Sequence, residues 1–161
     1  MSGATIPLLA RRIGTDTVAH LESAAPRRFL EAQLLREKGQ LTGAVYLYGY
    51  VAESRLAAAY FRLIGYRPST EITSEARRRV IAAAIHARFM TGTPHDVAGW
   101  ALLLVTTRKR RRAGYNRQLR DNVVRQARAL YARWRPSLRY RTIVPTDAHW
   151  FIRESVMEID D

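Results

Sequence analysis

The chain has 161 residues, which fits a single domain able to bury roughly two-thirds of its unfolded surface. It contains no cysteine, so a disulfide framework and any thiolate metal site are excluded, and with 47% hydrophobic and 25% charged residues it is far from a disordered composition. Twenty-seven basic residues against 14 acidic ones leave a formal charge of +13, which points to a polyanionic partner: RNA, DNA or a nucleotide.

Apolar periodicity is helical almost throughout, and neither strand alternation nor a two-residue hairpin signal is found. Residues 1–22 are set apart as a candidate arm of poor order. The first predicted helix covers 26–38, with Pro26 in its first turn, Gly39 past its end, and Phe29, Leu30, Leu34 and Leu35 striping one face. The second, 42–64, is apolar on most sides and is expected to be the central, most buried helix. A third runs over 74–90, after the Thr73–Ser74 capping signal, and is stopped by Gly92. Pro94 starts a fourth, 94–107, carrying Val97, Trp100, Ala101, Leu104 and Val105. Arg108–Gly114 reads as a charged turn or loop, a fifth helix spans 115–134, and a sixth, 146–159, begins at Pro145-Thr146-Asp147. Short connections imply antiparallel neighbours, so the expected fold is an all-α, up-and-down bundle of five to six helices forming one domain over 1–161. The longest apolar runs, such as Trp100–Val105, fall far short of the ~20 residues of a membrane span. Residues 1–10 carry no basic n-region ahead of an apolar stretch, and a soluble, cytoplasmic protein is expected.

Between Arg108 and Arg141 thirteen basic residues face one acid, Asp121, so this segment carries nearly all the excess charge. In the fifth helix Leu119, Val123, Ala127, Leu130 and Trp134 recur at steps of three and four, building one apolar stripe. Arg117, Arg125, Arg128 and Arg135 fall on roughly the opposite side. With Arg108, Arg110, Arg111 and Arg112 before the helix and Arg139, Tyr140 and Arg141 after it, they form a candidate basic ridge for phosphate. The same row also fits a solvated face in an arginine-rich composition, or a surface for an acidic protein.

Three segments in order resemble the HEPN superfamily, small helical bundles named for nucleotide binding in higher eukaryotes and prokaryotes. The first is Ala44-Val-Tyr-Leu-Tyr-Gly-Tyr-Val-Ala-Glu53-Ser-Arg-Leu-Ala-Ala58, similar to the family's aromatic-apolar run, Gly-Tyr, Glu and Leu-Lys-Ala, with Ala57 where lysine is frequent. The second is Thr93-Pro-His95-Asp96-Val97, and the third is Trp134-Arg-Pro136-Ser-Leu-Arg139-Tyr140-Arg141. The resemblance implies a helical bundle that belongs to one of two groups. One group comprises metal-independent ribonucleases with an Arg-x(4–6)-His motif, usually assembled across a dimer cleft. Members of the other lack the motif and bind RNA or nucleotides, or partner a small nucleotidyltransferase; the Gly-Tyr/Glu, His-Asp and Arg-Tyr set looks more like this group. Arg79-x6-His86 and Arg88-x6-His95 match the motif, but such spacing arises readily in an arginine-rich chain, and Arg141 and His149 are spaced too widely.

RNA cleavage needs a base for the ribose 2′-hydroxyl and a cation for the developing phosphate charge. Histidine and arginine supply these, so His95 at a helix start, with Arg88, is the candidate catalytic pair if the chain is a ribonuclease. His95 and Asp96 equally fit structural cap residues. His86, amid Ala83, Ile85 and Phe89, reads as a core or boundary histidine. Glu53, inside the most apolar helix, needs a partner, with Arg139 or an arginine of the fifth helix as candidates, or else contacts a ligand. Tyr46, Tyr48 and Tyr50 read as packing aromatics, and Tyr115 and Tyr140 as stacking candidates. No zinc spacing, Walker or dinucleotide loop, or nucleophile elbow is present, so neither cofactor nor metal is expected. The functional expectation is a nucleic-acid- or nucleotide-phosphate-binding module, RNA favoured over DNA. By the resemblance it works as a homodimer or as a subunit or partner in a prokaryotic defence or RNA-processing assembly. The alternatives are a toxin-like ribonuclease and a scaffold or antitoxin-like subunit.

Overall fold

The structure, a computed structural model, describes residues 16–113 and 116–134, and of Leu119 only the backbone. The predicted sixth helix, Tyr115, Arg135, Arg139, Tyr140, Arg141 and His149 lie outside the described residues.

The fold is all-α, with five helices among the described residues and one minimal pair of strands. In chain order they are β1 (Asp16–Thr17), α1 (Val18–Glu37), α2 (Leu41–Leu63), β2 (Glu71–Ile72), α3 (Ser74–His86), α4 (Val97–Arg111) and α5 (Arg117–Arg133). No strand was expected; β1 and β2 pair antiparallel in the register Asp16↔Ile72 and Thr17↔Glu71. Helix α1 packs along α2, α2 against α4, and α4 against α5.

Helix α1 starts eight residues earlier than its predicted Pro26 boundary, taking in residues assigned to the arm. A capping box starts it: Thr17 Oγ1 accepts from the His20 amide at 3.1 Å, and the Thr17 amide donates to His20 Nδ1 at 3.4 Å. The helix continues through Pro26 because Val18, Ala25 and Ala32 recur at sevenfold spacing and are completely buried on α2. That small-residue face replaces the predicted stripe: Phe29 and Leu35 pack on the core, whereas Leu30 and Leu34 are each 60% exposed.

Helix α2 is the most buried element, with Ala44, Val45, Tyr48, Val51, Ala52 and Phe61 fully covered. Helix α3 ends at His86 rather than at residue 90, in a Schellman turn. There the amides of Arg88 and Phe89 donate to Ile85 O and Ala84 O, and Arg88 takes the left-handed φ of 58° usually left to glycine. Only Ala84 of α3 is buried, so His86 is exposed and is not the core or boundary histidine expected.

Helix α4 begins at Val97, three residues after Pro94, because the buried Asp96 is its N-cap. At the other end it absorbs Arg108–Arg111, predicted as a loop. Arginine and lysine are good helix formers, and cations in a last turn interact favourably with the helix dipole. Arg112 closes the helix in a left-handed cap, φ 52°. Of the stripe predicted on α5, Ala127, Leu130 and, just past the helix end, Trp134 are fully buried and Val123 packs on the core; the Leu119 side chain lies outside the described residues.

Candidate functional site

Two features combine chemistry with exposure. The first is the arginine-bearing flank of α5 and the adjoining end of α4. At 100° per residue, Arg117, Arg128 and Arg125 fall within about 80° of one another on α5. All three are exposed, on the side away from Ala127, Leu130 and Trp134. Arg125 and Arg128, with the half-buried Arg120, border an open groove of about 730 Å³ between α4 and α5. Its α4 wall is Leu102, Val105 and Thr106, and one turn further along the same row come Lys109 and Arg110, both exposed.

Acid is scarce here. Asp121 hydrogen-bonds Arg120 and lies 3.9 Å from the Arg117 Nε. Arg125 donates to Asn122 Oδ1 at 2.8 Å, while Arg110, Arg112 and Arg128 form no ion pair among the described residues. Two of the nominated arginines act on the backbone: Arg108 donates to Ala113 O at 3.2 Å and Arg111 to Leu63 O at 2.6 Å. The arginines with acid partners lie mostly elsewhere, with Arg77 on Asp16, Arg78 and Arg79 on Glu75, and Arg62 on Glu22.

The second feature surrounds Glu53. Its side chain sits in the apolar surface of α2, 8% exposed, and its partner is His95, whose Nδ1 lies 2.9 Å from Glu53 Oε2. A carboxylate facing Nδ1 places the ring proton there and orients the imidazole. The His95 ring lies edge-on to Tyr50 at 5.8 Å and to Trp134 at 6.5 Å. Tyr46 and Tyr50, one turn apart, share this face with their hydroxyls 3.4 Å apart, whereas Tyr48 turns to Phe29.

Trp134 closes the cluster. Its Nε1 donates to Tyr46 O at 3.1 Å, and its indole lies so flat on Gly49 that a Cβ there would stand 2.0 Å from Cε2 and Nε1. Beside it, Asp96 accepts from the amides of Gly99 and Thr91 and from Thr91 Oγ1, whose oxygen is 3.1 Å from the Tyr131 hydroxyl. Asp96 thus ties the start of α4 to the end of α5. Arg88 is exposed in the turn after α3 and forms no hydrogen bond or ion pair with His95.

Burial lowers the basicity of Arg55 and raises the Tyr60 phenol above its ordinary 10.0, the latter opposed by the nearby Arg111 charge and reinforced by Tyr66. The Glu22 hydrogen bond raises Arg62. Among the described residues no group of three or more His, Asp or Glu side chains is placed to hold a metal ion. No helix among them is long and apolar enough to cross a membrane.

No protein-family model, curated protein or solved structure matches the chain. The sequence did not mark out Arg120, Thr91 or Tyr131.

Proposed function

We propose that this chain is a HEPN-like helical module that binds nucleic-acid or nucleotide phosphate through the arginine flank of α4 and α5. It acts without catalysis of its own, as a homodimer or as a subunit or partner in a prokaryotic defence or RNA-processing assembly. The observation that carries this reading is the set Arg117, Arg125 and Arg128, grouped on one exposed face with a single acid beside them, while Ala127, Leu130 and Trp134 on the other side are buried. Guanidinium groups offer fixed forks of donors that fit phosphate oxygens, and their grouping raises the local potential for an anion. A face neutralised internally would carry acids beside its arginines; Asp121 is the single acid of the segment.

The test is binding of a labelled oligonucleotide across a salt series. Affinity falls steeply with salt, and replacing Arg110, Arg125 and Arg128 by glutamine reduces the magnitude of the log–log slope by about 0.7–0.9 for each phosphate that the variant no longer neutralises. Unchanged affinity and slope in the triple variant would refute the proposal.

The Glu53–His95 pair favours a second reading, a metal-independent ribonuclease, because a carboxylate on Nδ1 is how a histidine base is oriented. Incubation of the purified protein with labelled RNA and a chelator decides it: RNA that stays intact removes this reading.

A further inference from the structure

The groove beside the arginines has features that phosphate binding alone does not require. Its floor is aliphatic, built from Leu102 and Val105 of α4 and Val124 of α5. Arg120, Arg125 and Arg128 border it from α5. Asp121 also lines it, a carboxylate 52% exposed among cations.

Each of these features narrows the ligand. Packed helices lie about 8–10 Å apart axis to axis, so the groove between two of them is narrower than any double helix. A duplex could touch only the arginines at its border and would leave the floor empty. A single strand has unpaired bases, whose apolar faces can cover Leu102, Val105 and Val124 while its phosphates follow the guanidinium groups. Arg117 to Arg128 spans about 16 Å of α5, room for a few nucleotides of an extended strand. The described lining residues offer the bases aliphatic rather than aromatic side chains.

Asp121 separates RNA from DNA. Beside a polyanion a carboxylate is repulsive unless the ligand brings a donor to it. The RNA backbone carries such a donor on every nucleotide, the ribose 2′-hydroxyl, and the DNA backbone carries none. The described hydrogen bonds to Asp121 both fall on Oδ1, from Arg120 Nε and Nη2, while Oδ2 faces the Arg117 Nε at 3.9 Å. A carboxylate has about four acceptor positions, so Asp121 can accept a hydroxyl without releasing Arg120.

Resting on the nucleic-acid reading above, we infer that the α4–α5 groove takes single-stranded RNA. Its bases lie on the Leu102–Val105–Val124 floor, its phosphates on the bordering arginines, and a 2′-hydroxyl donates to Asp121. Asp121 is thus a specificity-determining residue, favouring ribose over deoxyribose by hydrogen-bonding one and repelling the backbone of the other.

The experiment measures binding of three labelled probes of matched sequence and length: single-stranded RNA, single-stranded DNA and an RNA hairpin duplex. Wild-type protein, Asp121→Ala and Val124→Ser are compared at one salt concentration and then across a salt series. The wild-type protein binds single-stranded RNA on the order of tenfold more tightly than single-stranded DNA, the scale of one charge-assisted hydrogen bond, and more tightly than the hairpin. Asp121→Ala, at an exposed helical position that alanine suits, tightens DNA binding and brings the RNA-to-DNA ratio close to one. Val124→Ser weakens single-strand binding without changing the salt slope.

Should Asp121 act only through its charge, its removal would tighten RNA and DNA by the same factor and leave the ratio where it was, which overturns the inference. Equal wild-type binding of RNA and DNA, or a preference for the hairpin, also overturns it while leaving the arginine flank as a phosphate surface. Failure of all three probes to bind removes both readings.

Discussion

Gly49→Ala is a substitution on which local propensity and packing disagree in sign. Within a helix, alanine in place of glycine stabilises by about 1 kcal/mol. In α2, however, the new methyl group would stand 2.0 Å from two atoms of Trp134 and 2.3 Å from a third, so the indole has to move. Trp134 is fully buried and donates to Tyr46 O. Losing a buried aromatic of this size costs about 3–5 kcal/mol, so after the propensity gain the net loss is about 2–4 kcal/mol. Urea unfolding followed by far-UV circular dichroism measures it, since tryptophan fluorescence would report the displaced indole as well as unfolding. The control is the same substitution in a Trp134→Ala background, where the clash is gone and Gly49→Ala should be neutral or stabilising by up to about 1 kcal/mol. A Gly49→Ala protein as stable as its parent, or an equal penalty without the tryptophan, would refute the packing argument.

His95→Ala strands the Glu53 carboxylate in its apolar surroundings and should cost about 1–3 kcal/mol in urea unfolding. Glu53→Gln keeps an acceptor for Nδ1–H and should cost less than about 1 kcal/mol; equal penalties would show that the pair does not hold the cluster. Arg88→Gly relieves a left-handed residue and should raise stability by about 0.5–1 kcal/mol, whereas Ala82→Gly inside the preceding helix α3 lowers it by about 1 kcal/mol. Calorimetry should show the two shifts with opposite sign, each about 2–4 °C per kcal/mol. Because the folded phenol of Tyr60 is raised, its contribution to stability is complete below pH 10.0 and is lost as pH rises beyond it. Tyr60→Phe should therefore flatten the alkaline limb of the stability profile, and an unchanged limb would exclude the phenol as its source.

Helices that bury a continuous stripe were legible because burial and periodicity are the same information. Helix α2, apolar on most sides, is the central element, and Ala127, Leu130 and Trp134 of the predicted stripe are the ones that vanish from solvent. Boundaries failed where a local rule met a stronger competitor. Pro26 resembles a helix start, but the Thr17–His20 box and the buried Val18 and Ala25 lie upstream of it. Arg108–Arg111 resembles a loop by charge, yet these residues favour helix and complement its C-terminal dipole. Gly92 resembles a stop, but Arg88 had already ended α3.

The candidate site divides the same way. That arginines share one side of α5 follows from helical arithmetic on neighbouring residues. The partnership of Glu53 with His95 joins positions 42 apart and depends on how α2 meets the turn before α4, which no periodicity records. The groove needs two helices at once, and so Arg120 and Asp121 acquire meaning only when α4 stands opposite them.

The indole of Trp134 has a kinetic consequence. Helices α1 and α2 follow one another directly, so their contact closes a small loop, whereas Trp134 reaches Tyr46 across 88 positions. Contacts of such separation form late, after the entropy of the intervening chain has been spent. The tryptophan is then a latch that drops once the hairpin of α1 and α2 exists, and loosening it speeds unfolding while leaving the folding rate nearly as it was.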